Sequence, residues 1–330
     1  EIGGDSMPKI ITEDMIEQAA IKALQERHNY TVLNCMTEEP DTLPDGTGRK
    51  DKKQVVLPDV MLESLCRINP DIPEQIVRTM VDELCHTPIS GDLMLTNYQN
   101  YQKIRNGITV EYNKDGKKIS NIFRLLSYND ALSNTFTVAS QMWIRGETHW
   151  RRPDLIIFIN GFPLVFIELK NSNIPVKNAY DINLKNYLKD IPYLFNYNQI
   201  CVLSNGMETR LGSFAAGYEF FFEWLKVENE KENPDRKAIR ENCTSLEYFI
   251  AGLCEPKNLL DYIENFILYD RRRTKIIAKN HQFFGVNNAY NAFLRREELK
   301  GKLGVFWHTQ GSGKSYSMVM LARKIKHKCT

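Results

Sequence analysis

The chain has 330 residues, 42% of them hydrophobic, and its 43 Lys and Arg nearly balance 41 Asp and Glu, leaving a net charge of +2. That length and apolar content supply about two packed domains, while the charge excludes a uniformly basic nucleic-acid coat, so any contact with a polyanion must be local. The seven cysteines show no metal-ligand spacing, and no apolar run is long enough to span a membrane; a reducing cytoplasm, no membrane partner and no zinc site are expected.

Residues 1–6 read as a cloning scar and are set apart from the fold. Thr12 is a good helix N-cap, Glu13 and Asp14 follow in the first turn, and Ile16, Ala19, Ala20, Ala23 and Leu24 recur at helical spacing. Glu17 lies early in this helix. Residues 30–35 read as a short strand. Residues 41–53, rich in Pro, Gly and charge, read as a mobile loop. Residues 57–68 and 73–85 are predicted helices, the second opened by Pro73. Residues 108–112 and 119–126 form a predicted hairpin across Asp115-Gly116, and residues 135–143 continue as strand. Three basic runs, 49–53, 151–152 and 271–273, are candidate phosphate contacts.

The most informative stretch is RRPDLIIFINGFPLVFIELKN, residues 151–171. Runs 155–159 and 164–169 read as buried strands, and Asn160-Gly161 between them is a strong hairpin signal. A tight turn sets Ile159 opposite Phe162 and, counting outward, Asp154 opposite Ile167; a four-residue loop sets it opposite Leu169. Either register brings Asp154 to Glu168, and Lys170 shares a strand face with Glu168. Two adjacent carboxylates favour a cation between them. Oxygen ligands suit a hard ion such as Mg2+, which keeps waters and takes a phosphate oxygen. The lysine ammonium can stabilise charge on the reacting phosphate.

Asp154, Glu168 and Lys170 match the PD-(D/E)xK nuclease motif. The longer string, with Ile191-Pro192, 194–198 (LFNYN) and Ser204-Asn205-Gly206, resembles the restriction subunit of type I restriction enzymes. The resemblance implies a PD-(D/E)xK restriction-endonuclease-like core, α/β with a mixed central sheet flanked by helices. It implies that Glu17 joins the metal site, and that Tyr187 takes the tyrosine position of a Gln-x-x-x-Tyr pair on the following helix. Asn183 stands where the family has glutamine. Residues 180–188 should form that helix, 199–204 and 209–213 two more strands, 228–241 a loop or exposed helix start, and 246–253 and 258–268 further helices.

Near the end stands GVFWHTQGSGKSYSM. Residues 303–307 read as a buried strand, 310–315 as a glycine-rich turn, and Tyr316 onward as helix, the order of a P-loop. Backbone N–H groups of Gly311, Ser312 and Gly313 would face phosphates, Lys314 would reach them, and the Ser315 hydroxyl would ligate Mg2+. His308 replaces the first glycine of the usual pattern, as helicase-type loops tolerate. This string resembles the type I restriction motor, which implies ATP as ligand and a superfamily 2 helicase in which Gln282 reads the adenine. Residues 7–257 are expected to form the endonuclease domain and 258–330 a linker helix with the beginning of a RecA-like domain. No acid pair for magnesium activation follows the loop, so this stretch alone is not expected to hydrolyse ATP. The implied partners are double-stranded DNA and the modification and specificity subunits. A nuclease–helicase of DNA repair and a non-catalytic ATP-dependent scaffold are the alternatives.

Overall fold

The computed structural model describes residues 10–86, 91–307 and 309–329. The expected scar at 1–6 and His308 lie outside them. Helix α1 (Glu13–His28) starts where Thr12 Oγ1 accepts the Met15 N–H at 3.3 Å and ends at Asn29 in a left-handed conformation. A short strand β1 (Thr31–Asn34) follows. Residues 41–53, expected to be a mobile loop, pack instead around a buried charge cluster. Asp45 Oδ2 accepts from Arg49 Nη2 at 2.6 Å and from Lys52 Nζ at 2.7 Å, with all three side chains buried. Arg49 and Lys52 are therefore not available to a phosphate. Buried ions persist only when paired, and here the carboxylate supplies what composition alone could not show.

Helices α2 (Pro58–Ile68) and α3 (Glu74–Cys85) form as read. The next helix, α4 (Leu93–Asn106), was not anticipated. Hairpin β2 (Ile108–Lys114) and β3 (Lys117–Phe123) precedes β4 (Phe136–Ser140). A small ribbon, β5 (Ile144–Arg145) with β6 (Trp150–Arg151), leads into β7 (Leu155–Ile159) and β8 (Phe162–Leu169). A π-helical segment, Ala179–Leu184, runs straight into α5 (Lys185–Asp190). Strands β9 (Ile200–Ser204), β10 (Thr209–Gly212) and β11 (Phe222–Glu223) complete one sheet. Then come α6 (Arg236–Glu241), α7 (Ser245–Gly252), α8 (Pro256–Asn265), ribbon β12 (Ile267–Asp270) with β13 (Thr274–Ile277), α9 (Asn280–Leu294) and α10 (Lys314–Cys329).

The sheet has seven strands in the order β1-β4-β7-β8-β9-β10-β11 and is mixed: β1–β4 and β8–β9 run parallel, the other neighbours antiparallel. The fold is α/β, as expected. Every residue of β7 and β8 is buried, which explains their unbroken apolar sequence: helices cover both faces. Leu155, Ile157 and Ile159 point into the larger core with α1, α2 and α7, and Ile156, Phe158 and Phe166 into a second core with Leu184, Tyr187 and Phe195.

The turn between β7 and β8 matches its sequence. Asn160 and Gly161 both have positive φ, 50° and 82°, as a type I′ turn requires. A side chain at Gly161 would lie 2.6 Å from Leu57 O, so the start of α2 also depends on the glycine. Beyond the turn the count fails. The register shifts by one residue between Ile157 and Phe158, and Leu155 pairs with Ile167. Leu164 and Val165 both enter the larger core, a β-bulge that neither predicted register contained.

The predicted strand at 303–307 does not form: Val305 and Trp307 are 89% and 85% exposed. An apolar strand needs neighbours to bond and to cover its faces, and none pairs with it among the described residues. The 258–268 helix is likewise shorter than read, because Ile267 begins β12. Helix α10 is tied to the preceding unit by Arg323, which donates to Ile267 O at 2.6 Å and to the Tyr101 hydroxyl at 2.7 Å. Among the described residues no helix is long and apolar enough to cross a membrane.

Candidate active site

The start of α1 meets the open end of the β7–β8 hairpin. The start of α1 is stitched to the chain leaving β8: Asn171 Oδ1 accepts the Glu13 N–H at 2.8 Å, and Ser172 Oγ accepts the Ile11 N–H at 3.0 Å. These bonds carry Glu13 and Glu17 to the edge where β7 begins and β8 ends. Asp154 precedes β7, and its Oδ2 accepts the Leu169 N–H at 2.7 Å. Glu168 is 2% exposed. Lys170 Nζ donates to Glu168 Oε1 at 3.2 Å and to Leu169 O at 2.5 Å, and lies 3.7 Å from Glu13 Oε1.

The predicted trio is thus brought together. Glu17 lies beside it, 6% exposed, with Gln141 Nε2 donating to its Oε2 at 2.5 Å. Tyr187 is buried against Phe166, ring centroids 5.3 Å apart, and its hydroxyl donates to Arg152 O at 3.2 Å. It stands beside Glu168, but its proton is directed to Arg152, so Glu168 Oε2 stays buried without a hydrogen-bond partner among the described residues. Asn183 is half-buried on the π-helical segment and near Tyr187. Their four-residue spacing sets Asn183 and Tyr187 on one side of the helix.

The electrostatics follow from burial and crowding. Burial raises the Glu168 carboxyl well above its usual range and Asp154 raises it further, against the pull of Lys170. Asp154 is raised too, by burial first, with the Leu169 N–H and Lys170 opposing. Glu17 is pushed up to about 7, mainly by burial. Acids held this way are under-compensated, and a cation would relieve them. Among the described residues no three Asp, Glu, His or Cys side chains make a ready metal cage. The donor set that fits an ion is the Asp154–Glu168 pair, with the orphan Oε2 of Glu168, and such a pair suits a hard cation that keeps several waters.

Arg151, one of the candidate phosphate contacts, is held by Asp190 Oδ2 at 2.7 Å, and Arg152 lies over the Trp143 ring at 4.9 Å. Gln141 was missed by the sequence reading. Only its place at the end of a predicted strand marked it, and that is no signal of a role.

At the second motif, Gly311 and Gly313 have φ of 79° and 84°, and α10 begins at Lys314. Lys314 Nζ donates to Thr309 O at 3.1 Å, and Ser312 Oγ is buried without a partner among the described residues. Gln282 is buried. Its Oε1 accepts the Lys279 N–H at 2.8 Å and its Nε2 donates to Gly313 O at 3.0 Å, so it braces the loop.

A family model described as the type I restriction enzyme R protein N terminus matches residues 10–220. The chain belongs to this family. A second model, the SWI2/SNF2 ATPase, matches residues 281–330 of this R protein region, over the glycine-rich loop. The HindI endonuclease subunit of the type I restriction enzyme of Haemophilus influenzae is 35% identical over 331 residues, which cover 96% of this chain and 30% of that protein. A relative from Methanocaldococcus jannaschii, provisionally named a type I restriction enzyme endonuclease subunit, is 30% identical over 347 residues, 97% of this chain and 32% of its own length. The R protein region described here therefore spans about a third of the length of these relatives.

Proposed function

We propose that this region is the Mg2+-dependent DNA endonuclease of a type I restriction subunit, followed by the start of its ATP-driven motor. The observation that carries this reading is the buried pair Asp154 and Glu168 with one carboxylate oxygen unpartnered and Lys170 held against the other. Most buried polar side-chain atoms have a hydrogen-bond partner, and a carboxylate oxygen without one is open to a cation. The relatives' names, type I restriction enzyme endonuclease subunits, support the reaction class.

In this reading the core is of the PD-(D/E)xK kind. Asp154 and Glu168 hold Mg2+, with Glu17 at the edge of the set. The ion supplies a water of lowered pKa and offsets charge on the phosphodiester. Lys170 places an ammonium beside the reacting phosphate, where developing charge is stabilised by a fixed donor. Tyr187 backs Glu168 from the second core, and Asn183 shares its side of the helix. Asp154 is held in register by the Leu169 N–H, so the two carboxylates stay adjacent when DNA binds.

The glycine-rich loop is assigned to ATP, with Gly311, Ser312, Gly313, Lys314 and Ser315 around the phosphates, in a RecA-like unit whose first helix is α10. Gln282 reads adenine only if its amide turns away from Gly313 and Lys279 on binding. Double-stranded DNA and the modification and specificity subunits are the proposed partners, in the cytoplasm. Cleavage of unmodified foreign DNA away from the recognition site is the proposed outcome.

Calorimetric titration of Mg2+ into the nucleotide-free full-length subunit tests the metal assignment. Wild type should bind, and Glu168→Ala should lose that heat, because half a site does not hold magnesium against water. Equal binding by both would refute the pair.

A further inference from the structure

Gln141 touches both flanks of the acid set. It follows β4 directly and has φ of 54°. That left-handed conformation is strained for most side chains and is met at least strain by Gly, then Asn. Glutamine has no such advantage, so the backbone gives no reason for it; the side chain does. Its Nε2 donates to Glu17 Oε2 at 2.5 Å, and the same amide stands beside the Asp154 carboxylate, whose charged form it favours. Its backbone N–H donates to Asp154 O at 3.0 Å, which sets the residue in register with the acid that it serves. A primary amide carries two N–H donors and can hold two carboxylates at once.

We propose that Gln141 is a positioning residue for the metal site: its amide clasps Glu17 of α1 to Asp154, just before β7, and fixes both toward one cation. The proposal rests on the reading of Asp154 and Glu168 as the metal pair. Glu17 and Asp154 come from separate elements and repel each other, and neither is paired with a lysine or arginine among the described ion pairs. The amide is the neutral donor that holds them together without competing for the ion as a charge.

The test uses the full-length subunit, with Gln141→Asn and Gln141→Gly. Both keep a backbone suited to positive φ, and neither reaches both acids. Mg2+ affinity is read by calorimetry without nucleotide, and DNA cleavage is followed against Mg2+ in the assembled complex. Both variants should bind Mg2+ about 10- to 100-fold more weakly, the range for groups that orient metal ligands. Cleavage should return toward the wild-type rate at high Mg2+, with ATP hydrolysis unchanged. A merely structural defect would not be rescued by the ion. Wild-type Mg2+ affinity in either variant would overturn the clasp. Asp154→Ala is run in parallel: if it too binds Mg2+ like wild type, the metal reading fails; if it alone loses Mg2+, only the clasp fails.

Discussion

Leu169 gives its backbone N–H to Asp154 Oδ2 at 2.7 Å, which ties the acid before one strand to the last residue of the next. Glu168 and Lys170 flank that N–H, so a single hydrogen bond positions Asp154 against both. The bond forms because of the bulge at Leu164: Leu155 pairs with Ile167, and one further step outward brings Asp154 beside Glu168.

Lys170 is expected to act on the phosphate and not on the ion. Lys170→Ala should bind Mg2+ as wild type does yet cleave DNA about 100- to 1,000-fold more slowly, the loss typical of one transition-state donor. Lys170→Arg should restore only part of the rate. The ammonium sits among Glu168 Oε1, Leu169 O and Glu13 Oε1, a compact arrangement that a planar fork does not reproduce. Cleavage rates at saturating Mg2+ check this, and an arginine variant cutting at the wild-type rate would reduce Lys170 to charge balance.

Glu17 gives a pH dependence of definite sign. Burial raises it from 4.5 to about 7, so between those values the folded chain keeps a proton that the unfolded chain has lost. The stability from this group is complete below pH 4.5 and is lost as pH rises through about 7. Glu17→Gln removes the effect. In metal-free buffer, the unfolding midpoint of the variant relative to wild type should rise across that window and then level off. A difference that stays constant with pH would show that Glu17 is not buried as an acid.

Much of the hairpin was legible because its signals are local. Asn160-Gly161 fixes the turn by backbone chemistry, and the flanking apolar runs fix two strands. The bulge was not legible, since it depends on Leu164 and Val165 packing into the same core. Helix α4 escaped because its buried positions include Thr96, Asn97 and Asn100, which weaken an apolar period. They are buried for their hydrogen bonds, such as Asn97 Nδ2 to Phe195 O and Asn198 O, both at 2.8 Å. Asp45, Arg49 and Lys52 looked like solvated loop residues because pairing between charges is not visible in composition. Residues 303–307 have the apolar content of a strand, but burial requires neighbours that content cannot specify. Asp154, Glu168 and Lys170 were legible as a motif; Gln141 was not, because its role arises from a contact with Glu17 at a separation of 124 residues.

The most direct test measures DNA cleavage and ATP hydrolysis together in the assembled complex carrying Asp154→Ala or Glu168→Ala. Each removes a proposed ligand from the nuclease site and leaves the glycine-rich loop untouched. The account predicts no detectable cleavage by either variant, with ATP hydrolysis at the wild-type rate. Cleavage near the wild-type rate by either one, at ordinary Mg2+, would contradict it.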